Sequence, residues 1–268
     1  MSKPAKSLVE VGYISPIPDL FGEEIISLST TVHSGNMSFN NGDQTMARDN
    51  RKNLFHKLGL DIEHLIIIQP NQVDQIVWVN KKFLTRENPV QIKADTLLST
   101  ESNLILGLAT ADCIPVFFYE STKKIIGLAH AGRRGIELHI LTKTLKKIID
   151  KGGDLARVKI YLGPGIQRCC YCFSAKHFED EFKTNEWYNF SSKFRGKQGK
   201  ITSFNLDLYG RALSQLTNFE GERGEKLSIH NIARSHYCTF CSGLFFSHRR
   251  SQKENKPEQR FLSLIVRK

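Results

Sequence analysis

The apolar positions of this chain switch between two periods. From Asp49 to Leu58 they follow a helical spacing, with Leu54, Phe55 and Leu58 on one face and Gly59 as the stop. His64–Ile68 and Ile76–Val79 are short apolar runs of strand type. Leu104–Ala109, Ile114–Tyr119 and Ile125–Ala129 read as buried strands, and the polar turn Glu120–Lys124 joins the last two as a hairpin. Helical spacing returns over Gly135–Ile149, where Leu138, Leu141, Leu145 and Ile148 share a face and Gly152-Gly153 ends the element. Val158–Leu162 predicts a strand running into Gly163-Pro164-Gly165. Lys176–Phe182 and Leu206–Leu216 predict helices. Leu227–Ala233 and Phe261–Val266 predict the closing strands. This alternation predicts an α/β fold with an antiparallel admixture from the hairpin. No repeat, heptad run or long Pro/Gly/Ser linker divides residues 1–268, so one domain is expected.

Composition narrows the class. Hydrophobic residues make up 40% and charged residues 24%, which is ordinary for a globular protein. No apolar stretch is long enough to span a membrane. The start, Met-Ser-Lys-Pro-Ala-Lys-Ser, lacks the apolar core of a secretory signal, so the cytoplasm is the expected location. Six cysteines in 268 residues are too few for a disulfide scaffold and point to free thiols or metal ligands. The net charge of +11 favours anionic partners such as phosphate or nucleotides. The basic residues are scattered, with no long basic run, so nucleic acid is not the expected partner.

The chemistry concentrates at the hairpin. Cys113 precedes one of its strands, after Thr110 and Asp112, and His130 follows the other. Pairing of those strands brings thiol and imidazole together. Cysteine with histidine suits a zinc ion (Zn2+), which needs about three protein ligands at a catalytic site, or alternatively a nucleophilic pair. Ala131-Gly132-Arg133-Arg134-Gly135 then enters a helix, and its small residues, arginines and helix start read as an anion-binding corner. Cys169, Cys170 and Cys172 form one further cluster and Cys238 with Cys241 another. A second metal held by Cys170, Cys172, Cys238 and Cys241 is the metal-binding reading of these; ordinary free thiols are the other.

Four motifs occur in order: Thr110-Ala111-Asp112-Cys113-Ile114-Pro115, Ala129-His130-Ala131-Gly132-Arg133-Arg134-Gly135, Leu162-Gly163-Pro164-Gly165-Ile166, and Cys238-Thr239 followed by Phe245-Phe246-Ser247-His248-Arg249-Arg250. Asn50-Arg51 and Ala94-Asp95 are weaker echoes. Together, over roughly residues 35 to 265, they resemble the laccase-domain or multicopper polyphenol oxidase family, whose members include purine nucleoside phosphorylases and peptidoglycan editing factors. The resemblance implies a single compact α/β domain of mixed β-sheets flanked by helices. It implies a zinc site formed by a cysteine, the histidine of the His-Ala-Gly motif and a histidine of a Gln-x-His motif. It also implies phosphorolysis of purine nucleosides, with adenosine deamination as a second activity.

Cys113 and His130 match two of those metal ligands. The third histidine is missing. Gln69-Pro70-Asn71 and Gln72-Val73-Asp74 are both open as the matching segment. A carboxylate ligates zinc better than an amide does, so Asp74 is the candidate and Asn71 the alternative. Arg134 matches the motif arginine and is a candidate phosphate contact; Arg51, Arg249 and Arg250 are candidate phosphate or purine contacts. Asp112 is a candidate proton carrier, or an orienter of a ligand. Arg133 stands where the family motif carries tryptophan. Two competing expectations follow: a degenerate member acting as a binding or regulatory protein, and a basic nucleic-acid-binding protein. A copper oxidase is set aside, because the chain has no His-x-His pair.

Overall fold

The computed structural model describes residues 12–14, 20–71, 74–85, 89–182, 186–196, 199–222 and 224–268. Two six-stranded mixed sheets form the body. The first runs, in spatial order, Tyr13–Ile14, Ile25–Thr30, Phe261–Arg267, Ile105–Thr110, Leu65–Gln69 and Val90–Lys93. The second runs Ile232–Arg234, Val158–Leu162, Ile114–Glu120, Ile125–Ala131, Thr96–Ser99 and Ile76–Trp78. A smaller antiparallel sheet joins Cys172–Ser174, Ile201–Leu206 and Ser191–Arg195.

The central hairpin is apolar on both faces because both are covered. Phe117, Tyr119, Ile126 and Leu128 meet Ile66, Ile68, Leu106 and Leu108 of the first sheet. Ile114, Val116, Phe118, Ile125 and Ala129 turn the other way, onto Ile140, Leu141, Leu145 and Ile148 of a helix. Full burial of each large side chain stabilises the fold by about 1.5–3 kcal/mol. The outer face of the first sheet packs Leu65 and Ile67 on Leu54 and Phe55 of the helix Gln44–Leu58. The layers are therefore helix, sheet, sheet, helices, as the α/β expectation requires.

The strand and helix boundaries depart from the sequence pattern in several places. The first helix starts at Gln44 rather than Asp49, because the Asp43 carboxylate accepts from the N–H groups of Thr45 and Met46 at 2.9 and 3.1 Å. That first turn is polar and invisible to apolar periodicity. The expected helix Gly135–Ile149 is two helices, Arg133–Glu137 and Ile140–Asp150, separated by His139 at φ 60°. The expected strand Leu227–Ala233 shrinks to Ile232–Arg234. Strands Ile25–Thr30, Val90–Lys93, Thr96–Ser99, Cys172–Ser174, Ser191–Arg195 and Ile201–Leu206 had no clear sequence signal. Among the described residues no helix is long and apolar enough to cross a membrane.

Candidate active site

The hairpin register pairs Pro115 with His130 and Ile114 with Ala131, so Cys113 lies one step further along, beside Gly132. The two side chains converge there and share a hydrogen bond. Gly132 leaves the room: a β-carbon on it would stand 2.9 Å from Cys113 Sγ and 3.5 Å from His130 Nε2. The other ring nitrogen, Nδ1, lies 3.2 Å from Asp95 Oδ1, and the His130 N–H donates to the Asp95 carbonyl at 2.8 Å. Asp95 therefore fixes the ring and leaves Nε2 facing Cys113, the arrangement of a carboxylate–histidine–metal relay. Burial pushes the His130 pKa down, but the Cys113 charge and the bonds to Asp95 and Cys113 outweigh it and carry the value up to about 9. Asp95 is the residue that sequence reading left without a role. Its signal was the Ala-Asp step before a strand.

Asp112 is a clamp. Its Oδ1 accepts the Thr239 hydroxyl at 2.6 Å, its Oδ2 accepts the Arg249 N–H at 2.8 Å, and its carbonyl accepts the Ile166 N–H at 2.8 Å. It sits at φ 88°, an uncommon backbone region for a non-glycine residue, so its position is held by these three segments. Each carboxylate oxygen accepts one bond and ties Asp112 to a different segment, the arrangement an orienter needs, one of its two expected roles.

Two cavities meet at Cys113. One, of about 720 Å³, is walled by Asp112, Arg133, Tyr171, Phe240, His248 and Arg249 among others. The second, of about 430 Å³, reaches His130, Thr110, His248 and Arg260. Arg133 is steadied by Glu137 at 2.9 Å and by Glu181 at 3.7 Å. Arg249 lies over the rings of Tyr171 and Phe173 at 4.7 and 4.4 Å and donates to the Cys172 carbonyl at 2.6 Å. His248 Nδ1 pairs with Glu258 at 2.5 Å.

Several expected site residues stand elsewhere. Asp74 lines neither cavity; its left-handed backbone, at φ 57°, sends the carboxylate to Lys143. Gln72 and Val73 of the same alternative lie outside the described residues. Arg51 is buried and donates to the carbonyls of Met37 and Ser38 at 3.3 and 2.7 Å, with its guanidinium 4.0 Å from the centre of the Phe39 ring. Burial, then Arg48, lower its pKa to about 10. It braces a loop and does not reach Cys113. Arg250 donates to the carbonyls of Thr239 and Phe240 at 2.8 and 2.7 Å and also to Phe245, a turn brace of the same kind. Arg134 is exposed and lines neither cavity; Arg133 does. The helix behind them has only five residues, so the expected anion corner reduces to side chains.

Among the described residues no third His, Cys, Asp or Glu joins Cys113 and His130 closely enough to share an ion. Asn71 offers a different donor. Its Oδ1 is buried without a hydrogen-bond partner, on a loop whose Gln75 carbonyl accepts from the N–H groups of Asp95 and Thr96. Cys113 and the oriented His130 supply two donors that suit zinc, while Asn71, like Asp74, lines neither cavity, so the described residues bring two of the three expected ligands together.

The remaining cysteines regroup. Cys169, Cys170, Cys238 and Cys241 place their sulfurs within 4.8 Å of one another, so Cys169 takes the place expected for Cys172. Cys172 is in a strand instead. Burial pushes the Cys169 thiol up to about 11 and raises Cys170 too. Cys238 goes the other way: burial opposes ionisation, but N–H groups of Gln167, Cys241 and Phe240 outweigh it.

Comparison with known proteins places the chain in a family. Purine nucleoside phosphorylase of Borreliella burgdorferi is 33% identical over 162 residues, which is 59% of this chain and 64% of that protein, just under two thirds of its length. A protein of the same name from Campylobacter jejuni is 30% identical over 227 residues, 83% of this chain and 86% of that one. Adenosine deaminase RL5, from an unknown prokaryotic organism, is 25% identical over 133 residues, 48% of this chain and 51% of that protein. The crystal structure of YlmD from Geobacillus stearothermophilus superposes with a TM-score of 0.78 at 25% identity, covering 96% of each chain. The family model described as "Multi-copper polyphenol oxidoreductase laccase" matches residues 26–268, and this chain belongs to that family.

Proposed function

We propose that this protein is a purine nucleoside phosphorylase whose reaction centre is the Cys113–His130 pair. The observation that carries the reading is the oriented cluster itself: Asp95 on Nδ1, Nε2 facing Cys113, and a basic, aromatic-walled cavity opening directly beside it. Relatives named purine nucleoside phosphorylase, and one named adenosine deaminase, support a nucleoside substrate.

Arg133 and Arg249 hold the phosphate, each kept in place by its own partners, so little ordering remains to be done on binding. The apolar wall of Tyr171, Phe173 and Phe240 takes the purine face. In phosphorolysis a phosphate oxygen forms the bond to the anomeric carbon while the bond to the purine nitrogen breaks. The electron pair leaves with the base, which takes up the proton that the phosphate gives up. Cys113 and His130 would hold a zinc ion, and a zinc ion there would supply Lewis acidity to the substrate. Asp112 keeps Cys113 in register with the C-terminal turn.

One observation favours a second reading, a family member that binds nucleoside without turnover: the third ligand position carries no imidazole. Adenosine with phosphate, followed for adenine and ribose 1-phosphate, separates the two. Adenine release that depends on phosphate and is lost in Cys113→Ala supports the phosphorylase. Saturable adenosine binding with no product supports the binding protein. Inosine in place of adenine would assign the deaminase activity instead.

A further inference from the structure

The four-cysteine cluster lies outside the reaction centre and serves no step of the proposed chemistry. Its sulfurs come from two turns. Cys169 and Cys170 sit in the turn closed by the N–H groups of Cys170 and Tyr171 on the Gln167 carbonyl, at 2.9 and 3.0 Å. Cys238 and Cys241 sit in a C-x-x-C turn closed by the Ser242 N–H on the Cys238 carbonyl, at 3.0 Å. The Gln167 N–H donates to Cys238 Sγ at 3.4 Å and so joins the two turns, and just before the first turn the Gly165 carbonyl accepts the Thr239 N–H at 3.1 Å. All four sulfurs lie within 4.8 Å of one another, and Cys169 and Cys241 are 3.9 Å apart. A tetrahedron of thiolates around zinc, at about 2.3 Å per bond, has edges of about 3.8 Å. The spacing is thus almost that of a filled site. None of the thiols is paired in a disulfide.

Cys238 is the sulfur best supplied with hydrogen-bond donors. Backbone N–H groups of Gln167, Phe240 and Cys241 donate to Cys238 Sγ, the first at 3.4 Å. The Arg250 guanidinium is anchored on the Thr239 and Phe240 carbonyls, inside the same C-x-x-C turn, and supplies positive charge beside the cluster. Four soft donors with no carboxylate or imidazole among them select zinc over magnesium or calcium. Four protein ligands also leave no open position, the mark of a structural rather than a catalytic ion.

We propose that Cys169, Cys170, Cys238 and Cys241 bind a structural zinc ion, separate from the Cys113–His130 centre, that staples together the two turns forming one wall of the substrate cavity. Ile166, Cys170, Tyr171 and Phe240 of those turns line that cavity. Thr239, between the two cysteines of the second turn, holds Asp112 and so ties the ion to the hairpin end that carries Cys113. Binding releases the thiol protons and draws the sulfurs into the tetrahedron.

The test is metal content of the full chain, purified without chelator under reducing conditions. A Cys113→Ala/His130→Ala variant is expected to retain about one zinc ion per chain. Adding Cys169→Ser and Cys241→Ser is expected to reduce that to near zero. Because the first pair of substitutions removes the reaction centre, this readout stands whether or not that centre holds metal. Cobalt substitution of the Cys113→Ala/His130→Ala protein provides a second measurement that leaves the four clustered cysteines unaltered: intense thiolate-to-metal charge transfer with tetrahedral ligand-field bands is expected. Metal-free Cys113→Ala/His130→Ala protein, retention of zinc after Cys169→Ser and Cys241→Ser, iron in place of zinc, or a native mass showing a disulfide among these four would overturn the proposal.

Discussion

Removing the Asp112 carboxylate tests how the end of the hairpin that carries Cys113 is held. Asp112 is 6% exposed, and its two oxygens accept from the Thr239 hydroxyl and the Arg249 N–H at 2.6 and 2.8 Å. Hydrogen bonds to a charged group contribute about 1.5–3 kcal/mol each, so Asp112→Ala is expected to lose about 3–6 kcal/mol. That is a large part of the roughly 5–15 kcal/mol by which a typical domain is stable. Asp112→Asn differs in kind. Its amide oxygen can accept from Arg249 and its NH2 can donate to the Thr239 oxygen, so both contacts survive without the charge and the loss is expected near 1 kcal/mol. Equilibrium urea unfolding with an unchanged slope measures both losses. Asp112→Ala within about 0.5 kcal/mol of the wild type would refute the clamp, since that is the scatter of an ordinary surface substitution. Kinetics separate the clamp from a proton carrier. As an orienter, Asp112→Asn keeps the shape of the pH–rate profile while kcat falls; disappearance of one limb of the profile would show that Asp112 moves a proton.

Other outcomes follow from the same geometry. Asp95→Asn is expected to weaken metal affinity or activity about 10–100-fold by releasing the His130 ring, measured by competition with a zinc chelator. Arg249→Ala is expected to raise KM for phosphate more than KM for adenosine, and equal changes would remove Arg249 from the phosphate site. Tyr119, Tyr161, Tyr171 and Tyr209, four of the seven tyrosines, have pKa values above the ordinary range; burial leads in each, and Tyr119 and Tyr171 reach about 12. A phenol with a raised folded-state value stabilises the fold fully below its unfolded value near 10, and that contribution is lost as pH rises through about 12. Alkaline titration of phenolate absorbance should therefore lag in the folded protein and catch up on unfolding, and seven tyrosines ionising together near pH 10 would contradict the burial.

The candidate site was half legible in the sequence. Two apolar strands and a polar turn already forced Cys113 and His130 to the same end of a hairpin, because antiparallel pairing leaves their positions no alternative. Which of the candidate arginines face the cavity was not legible. Arg51 meets carbonyls 13 and 14 residues before it, and Arg250 meets carbonyls 10 and 11 residues before it. Backbone oxygens carry no sequence signature, so a bracing arginine reads like a ligand-binding one. Asp74 was preferred for its chemistry, but a left-handed turn and Lys143 decided where its carboxylate points. Spacing alone could not choose Cys169 over Cys172, because the choice depends on which cysteine enters the strand Cys172–Ser174. The strand Thr96–Ser99 was missed because it is buried on both sides and too short to show a period.

The central claim is that nucleoside chemistry occurs at the Cys113–His130 pair. The most direct measurement is phosphate-dependent adenine release from adenosine by the wild type, by Cys113→Ala and by His130→Ala, each verified as folded by its urea midpoint. The expected result is turnover in the wild type and a loss of at least about 100-fold in both variants. Turnover that survives both substitutions would contradict the assignment.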